Sequence, residues 1–309
     1  MSRMKGLLYG VISSSTFGLI PLFALPAIEQ GIGVDSVMFY RFGISALALG
    51  SWLCLRKHDL RVSFRELAAL SALGLFYAMT ALLLTTSYLY IPSGIATTIH
   101  FLYPVIVAST MILFFKDKIS FPLIMAVGMA ISGVYLLSYS GEMGGVSLKG
   151  LLLVLTTVVT YAIYIVGVNK SAVHRMDGLK LTFYVLFVGA LVFGLNLWVK
   201  GESLDLIPNV PTGIYLVLLA LIPTLVSDFT LILSVQQVGS TTTAILGCME
   251  PLTAVVMGVL FLNERLGVWQ LAGMFIILLA VSIVILANSR ERISLKRLIP
   301  IKHKPRLPF

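Results

Sequence analysis

"AILGCMEPLTAVV", residues 244–256, lies inside an apolar run long enough to cross a bilayer, yet it sets Glu250 directly before Pro251. At the centre of a bilayer a carboxylate costs about 3 kcal/mol. The proline removes one backbone hydrogen bond and crowds the preceding turn. A segment that carries both has a use for a charge and for a loosened helix. The composition agrees with a membrane setting: 58% of the 309 residues are hydrophobic and 11% are charged, against about 25% charged in an ordinary soluble chain. The apolar residues are spread from end to end, which describes a polytopic membrane protein.

Spanning helices need about 20 mostly apolar residues each, and ten such runs are predicted: 5–25, 36–55, 67–89, 93–115, 121–139, 148–168, 180–199, 212–235, 241–262 and 268–287. The loops between them are too short to house a soluble domain. The first run follows Arg3 and Lys5 as a leader peptide would, but its "KGLL" (Lys5–Leu8) recurs at Lys149–Leu152, each time ahead of a hydroxyl-rich segment. It is therefore read as a helix of the folded protein. The recurrence continues. Phe39-Tyr40 and Ala46-Leu47 match Phe183-Tyr184 and Ala190-Leu191 at an offset of 144. Ser87, Ser93, Pro104 and Phe114 match Ser234, Ser240, Pro251 and Phe261 at an offset of 147, and "FFKDKI" (Phe114–Ile119) matches "FLNERL" (Phe261–Leu266). These collinear matches describe a duplicated five-helix unit, over 1–140 and 141–288, followed by a basic tail, 289–309.

An odd number of helices per unit turns the second copy upside down relative to the first. With both termini cytoplasmic, the inside segments hold eighteen of the 22 Lys and Arg residues, the outside holds Lys149, Lys200 and Arg265, and Arg41 lies in the membrane. That bias follows the positive-inside rule. The expected fold class is all-α integral membrane, with ten transmembrane helices as two inverted five-helix repeats. Such repeats give a chain two related packings that open to opposite sides of a midplane site, which is the geometry of a carrier.

At this point the sequence resembles the drug/metabolite transporter superfamily, and within it the EamA type with two repeats in one chain, over residues 5–288. The resemblance rests on the two five-helix units, on Glu250-Pro251 in the fourth helix of the second unit, and on Arg41 in "FYRFGISALAL". It also rests on Asp117 and Glu264 closing the fourth helix of each unit. The first unit departs from the pattern with Tyr103-Pro104 where many members carry Glu-Pro. The resemblance implies export of amino acids, related metabolites or toxic compounds; relatives that move sugars or nucleotide-sugars leave a sugar or nucleoside-type importer or exchanger as the alternative. Localisation in a bacterial inner membrane is expected, with a small-molecule substrate and lipid as partners, no nucleic acid, and either a monomer or a homodimer.

The candidates for substrate or proton binding are Glu250, Asp228, Tyr103, His100, Arg41, Tyr77, Tyr161 and Tyr164, with Pro104, Pro251 and Pro223 as helix breaks. Pro104, Pro251 and Pro223 are expected to free the carbonyls of His100, Gly247 and Leu219. At ~1.5 Å per residue, Asp228 lies about 10 Å and Glu250 about 13 Å from the cytoplasmic ends of their helices. Low dielectric disfavours ionised carboxylates, which motivates an expectation of proton coupling. Arg41 lies about 9 Å from the outer end, where its stem is expected to reach the interface. On helix 9, Thr243, Gly247, Glu250, Ala254 and Gly258 form one stripe, small apart from its carboxylate, suited to close packing or a cavity wall. Cys54 and Cys248 are read as small buried hydrophobes with no disulfide or zinc spacing. No cofactor or metal is expected. An intramembrane enzyme is disfavoured, because none of His58, His100, His174 and His303 belongs to an HExxH pair. A channel is the other rival, and with no GxxxxGK[ST] loop, pumping by ATP would need a partner.

Overall fold

The computed structural model describes residues 2–115, 121–138, 147–238, 243 and 246–298. The described residues form helices joined by short turns, with no strand among them. In chain order they are α1 (Ser2–Phe17), α2 (Ile20–Glu29), α3 (Val34–Leu55), α4 (Phe64–Ser87), α5 (Ser93–His100), α6 (Tyr103–Phe115) and α7 (Phe121–Ser138). The second half supplies α8 (Leu148–Lys170), α9 (Gly178–Lys200), α10 (Val210–Ala220), α11 (Ser227–Val238), α12 (Met249–Phe261) and α13 (Val268–Leu298). A π-turn, Leu221–Val226, joins α10 to α11.

Seven continuous or nearly continuous stretches are long and apolar enough to cross a membrane: Met4–Glu29, Val34–Leu55, Phe64–Ser87, Ser93–Met111, Leu148–Val168, Gly178–Lys200 and Val210–Ser234. Ile124–Leu137, Met249–Phe261 and Val268–Ile283 are shorter apolar helices. Large apolar side chains face outward along these helices, among them Leu47, Leu113, Leu191, Leu260 and Phe275, as a lipid-facing surface requires and a water-facing one does not. Cys54 belongs to this outer surface, so the expectation that it is buried fails; Cys248 is half-buried. α13 runs to Leu298, well into the predicted tail, while 299–309 lie outside the described residues.

Local chemistry sets the helix ends. Ser63 caps α4 in a capping box, accepting from Glu66 N–H while the Glu66 carboxylate accepts from Ser63 N–H, which satisfies donors that the first turn leaves over. Asp177 accepts from Leu179 and Lys180 N–H at the start of α9, which ends on Gly201 at φ 69°, the left-handed closure that glycine permits. Asn209 caps α10 by accepting from Thr212 N–H at 2.9 Å.

The helix packing is paired. α1 lies on α11 as α4 lies on α8; α3 lies on α9, α5 on α12, and α7 on α13. The first two of these contacts are stitched by hydroxyls. Ser13 Oγ donates to Ser227 O at 2.9 Å and Ser227 Oγ donates back to Ser13 O at 2.7 Å. In the matching contact Thr80 Oγ1 and Thr160 Oγ1 are 2.7 Å apart. Tyr40 on α3 donates to Asp205 O, in the loop after α9, at 2.7 Å. Its sequence match Tyr184, on α9, donates to Leu60 O, in the loop after α3, at 2.6 Å.

Candidate functional site

Four helices are interrupted in the interior, and the candidate residues gather beside those interruptions. α5 stops at His100 and α6 begins at Tyr103, ahead of Pro104. Gly247 and Cys248 form a turn before α12, ahead of Pro251. The π-turn surrounds Pro223. The fourth break, Gly18-Leu19 between α1 and α2, lies ahead of Pro21, the second residue of α2, as the break after His100 lies ahead of Pro104. A Cβ on Gly18 would stand 2.4 Å from the carbonyl oxygen of Glu250, so only glycine lets the broken first helix lie directly against the Glu250 turn. Gly18 is a site residue that hydropathy and motif spacing pass over.

The freed carbonyls have differing fates. That of Leu219 accepts from Thr224 Oγ1 at 3.1 Å, the hydroxyl replacing the amide that Pro223 lacks. That of Gly247 is not left free as expected: Glu250 N–H reaches it at 3.0 Å by a tighter turn.

Arg41 does not extend to the interface. It is 3% exposed, and its Nε donates to Thr224 Oγ1 at 3.1 Å. Thr224 therefore relays Arg41 to the Leu219 carbonyl, holding a guanidinium against the π-turn. Ser45 Oγ, one turn further along α3, reaches both Arg41 O at 2.7 Å and Ala220 O at 3.0 Å. Arg41 lies within electrostatic reach of both Asp228 and Glu250. Both residues are half-buried, and neither carboxylate has a hydrogen bond or an ion pair among the described residues.

The remaining candidates form an aromatic cluster. Tyr77 on α4 stands 5.0 Å from Tyr164 and 6.3 Å from Tyr161 on α8. Tyr161 meets Tyr103 edge-on at 4.6 Å, and the His100 ring lies 5.1 Å from Tyr161. Such offset and edge contacts suit ring quadrupoles. All four tyrosines are half-buried. Tyr77 feels the charges of Asp228, Arg41 and Glu250 together, and Glu250 also reaches Tyr103 and Tyr161. The eight candidates thus form one neighbourhood, part aromatic and part charged.

His100 is 6% exposed. Its Nδ1 lies 2.8 Å from Thr157 Oγ1, which also lies 2.6 Å from Val154 O. With Nδ1 bonded to Thr157, Nε2 is the ring nitrogen left beside the tyrosines. No group of three or more His, Cys, Asp or Glu able to hold a metal occurs among the described residues.

Comparison with known proteins identifies the scaffold. Residues 4–139 and 148–286 each match the EamA-like transporter family. The chain belongs to that family. An uncharacterized transporter of Archaeoglobus fulgidus is 26% identical over 132 residues, 42% of this chain and 46% of that protein, so the match spans under half of that relative. The uncharacterized transporter YvbV of Bacillus subtilis is 27% identical over 243 residues, 77% of this chain and 75% of its own. A solved chain described as "Crystal structure of protein" superposes with a TM-score of 0.67 at 14% identity, covering 94% of this chain and 99% of that one. That likeness concerns the fold alone.

Proposed function

We propose that this protein is a secondary transporter that exports small organic metabolites across the bacterial inner membrane, coupled to protons. It works by alternating access between two inverted five-helix halves, 1–140 and 141–288, with ten spans and both termini in the cytoplasm. The tail, 289–309, hugs anionic headgroups with its basic residues. Cargo sits between the tyrosine wall and the Arg41, Asp228 and Glu250 wall, and Glu250 or Asp228 carries the proton.

The observation that carries this reading is the pair of unpartnered carboxylates facing four tyrosines across broken helices. Intramembrane charges are functional by default, and discontinuous helices at the midplane are where carriers bind cargo. The paired helix contacts support the inverted halves. Family membership supports transport over intramembrane catalysis, and amino acids or related compounds remain the expected cargo class, with sugar or nucleoside-type exchange as the alternative.

The test compares metabolites released by bacteria expressing the unsubstituted chain with those expressing Glu250→Gln, at matched membrane levels. A metabolite raised only by the unsubstituted chain names the cargo and places Glu250 in the cycle. Equal release from both, with Asp228→Asn also fully active under a pH gradient, would sink the proton-coupling reading.

A further inference from the structure

The interior site has a counterpart at the outer mouth that none of the site residues explains. Glu264, in the turn after α12, does not face solvent as an ordinary loop carboxylate would. Its Oε1 accepts from Ser93 N–H at 2.6 Å and its Oε2 accepts from Gly94 N–H at 3.3 Å, 171 and 170 residues away in the chain. These are the first two amides of α5, donors that a helix leaves unpaired and where its dipole favours negative charge. A carboxylate there is held by charge-assisted bonds, the stronger kind.

The turn that delivers it is built for the purpose. Asn263 takes φ 55°, which an asparagine tolerates better than most residues, and Leu262 and Glu264 both donate backbone N–H to Gly258 O. A Cβ on Gly258 would stand 2.3 Å from Glu264 Oε2. At the same crossing a Cβ on Gly94 would stand 2.7 Å from Val255 Cγ2. Two glycines, one on each helix, let α5 and α12 come close enough for the carboxylate to seat. The helices joined in this way are those that carry the interior site: His100 ends α5 with Tyr103 just beyond it, and Glu250 lies in the first turn of α12. Above the seat opens a vestibule of about 390 Å³, bordered by Ile28, Glu29, Tyr88, Leu262 and Glu264.

We propose that Glu264 is the outer gate latch: its carboxylate, seated on the N-terminus of α5, holds α5 and α12 together and closes the cargo cavity to the outside. The inference rests on the alternating-access reading above. Opening outward must part these two helix ends, which the Glu264 carboxylate joins through Ser93 N–H and Gly94 N–H. Cargo or a proton at the inner ends of the same two helices therefore acts on the latch along short, stiff segments, about 12 Å in the case of α5.

The test uses the full chain with Cys54→Ser and Cys248→Ser and a single reporter, Thr97→Cys. Thr97 is 3% exposed, one turn below the seat. A membrane-impermeant maleimide is applied to right-side-out and to inside-out vesicles. Glu264→Gln keeps the shape but sets an amide N–H against one of the two donors. Ser93→Pro removes the shorter-bonded donor at a first-turn position where proline is tolerated. Each is expected to raise labelling from the outside about tenfold, the scale of a lost charge-assisted hydrogen bond, and the double substitution is expected to add little to either. A role confined to folding would lower the amount of protein or its melting temperature and leave labelling per folded molecule unchanged. Unchanged labelling in both single variants, or fully additive effects, overturns the latch. Increased labelling from the cytoplasmic side alone keeps the latch and overturns the membrane orientation instead.

Discussion

The two halves of this molecule agree where they hold the chain together and differ at the interior candidate residues. Tyr40 and Tyr184 make the same kind of bond to the loop of the other half. Ser227 and Thr80, separated by the same 147 positions that relate the prolines, bridge to the first helix of the opposite half. The lining breaks this agreement. Tyr103 in one half matches Glu250 in the other, Tyr77 matches Thr224, His100 matches Gly247, and Ala81 matches Asp228. Under the proposed alternating access, two packings of similar energy require matched scaffold contacts, since each packing exchanges the role of one half for that of the other. Cargo recognition has no such requirement. Duplication sets the frame, and divergence at the matched positions puts aromatic residues at some of them and charged residues at others.

Breaking the charged wall is expected to give the largest effect. Glu250→Gln should lower proton-driven release about tenfold or more, equivalent to ~1.4 kcal/mol in the limiting step, while Tyr103→Phe at the matching position should retain most of it. Release of the identified metabolite into the medium reads both. Comparable losses would mean that the two walls share one role. Next in size is Thr224→Val, which removes the acceptor of Arg41 and the donor to the Leu219 carbonyl at nearly constant volume. About 2 kcal/mol of stability should go, because buried polar groups lose their partners, whereas Thr224→Ser should restore it. Thermal unfolding in detergent measures the difference. The scaffold pair should behave alike: Tyr40→Phe and Tyr184→Phe are each expected to cost about 1 kcal/mol. A difference of more than twofold between them would break the equivalence of the halves.

The sequence reaches far into the fold because hydropathy and duplication are local or periodic signals. The apolar runs lie on the helices, and the interruptions at Pro104, Pro223 and Pro251 lie where a missing amide puts them. It stops where a side chain meets a partner far along the chain. Arg41 finds Thr224 across 183 positions, and Glu264 finds α5 across 171; neither partner has a spacing to read. The Gly18 break has a sequence signal in Pro21, at the start of α2, but the close approach of the Glu250 backbone to Gly18 has none. The charged and aromatic candidates were legible as exceptions to an apolar background. Their gathering in one neighbourhood was not, because it depends on which faces of α4 and α8 meet.

The smallest expected effect concerns the starts of α4 and α10, which the two halves cap by different means. α4 begins with the Ser63–Glu66 capping box, and α10 with Asn209 accepting from Thr212 N–H and Thr212 Oγ1. Ser63→Ala and Asn209→Ala should each cost ~1 kcal/mol or less, but only the first should depend on acid. Bonds from Ser63 N–H and Ser63 Oγ hold the Glu66 carboxyl below its ordinary range near 4.5. A carboxylate stabilised in this way contributes fully above the unfolded value and loses its contribution as pH falls through the folded one. The gap between the unsubstituted chain and Ser63→Ala should therefore narrow below pH 4.5 to what the Ser63 Oγ bond from Glu66 N–H leaves, while the gap to Asn209→Ala should hold steady, since no carboxylate takes part in that cap. Parallel acid profiles for the two variants would show that the Ser63 hydroxyl acts on the α4 amides alone, leaving the Glu66 carboxylate held by the Ser63 backbone N–H, a bond that Ser63→Ala does not remove.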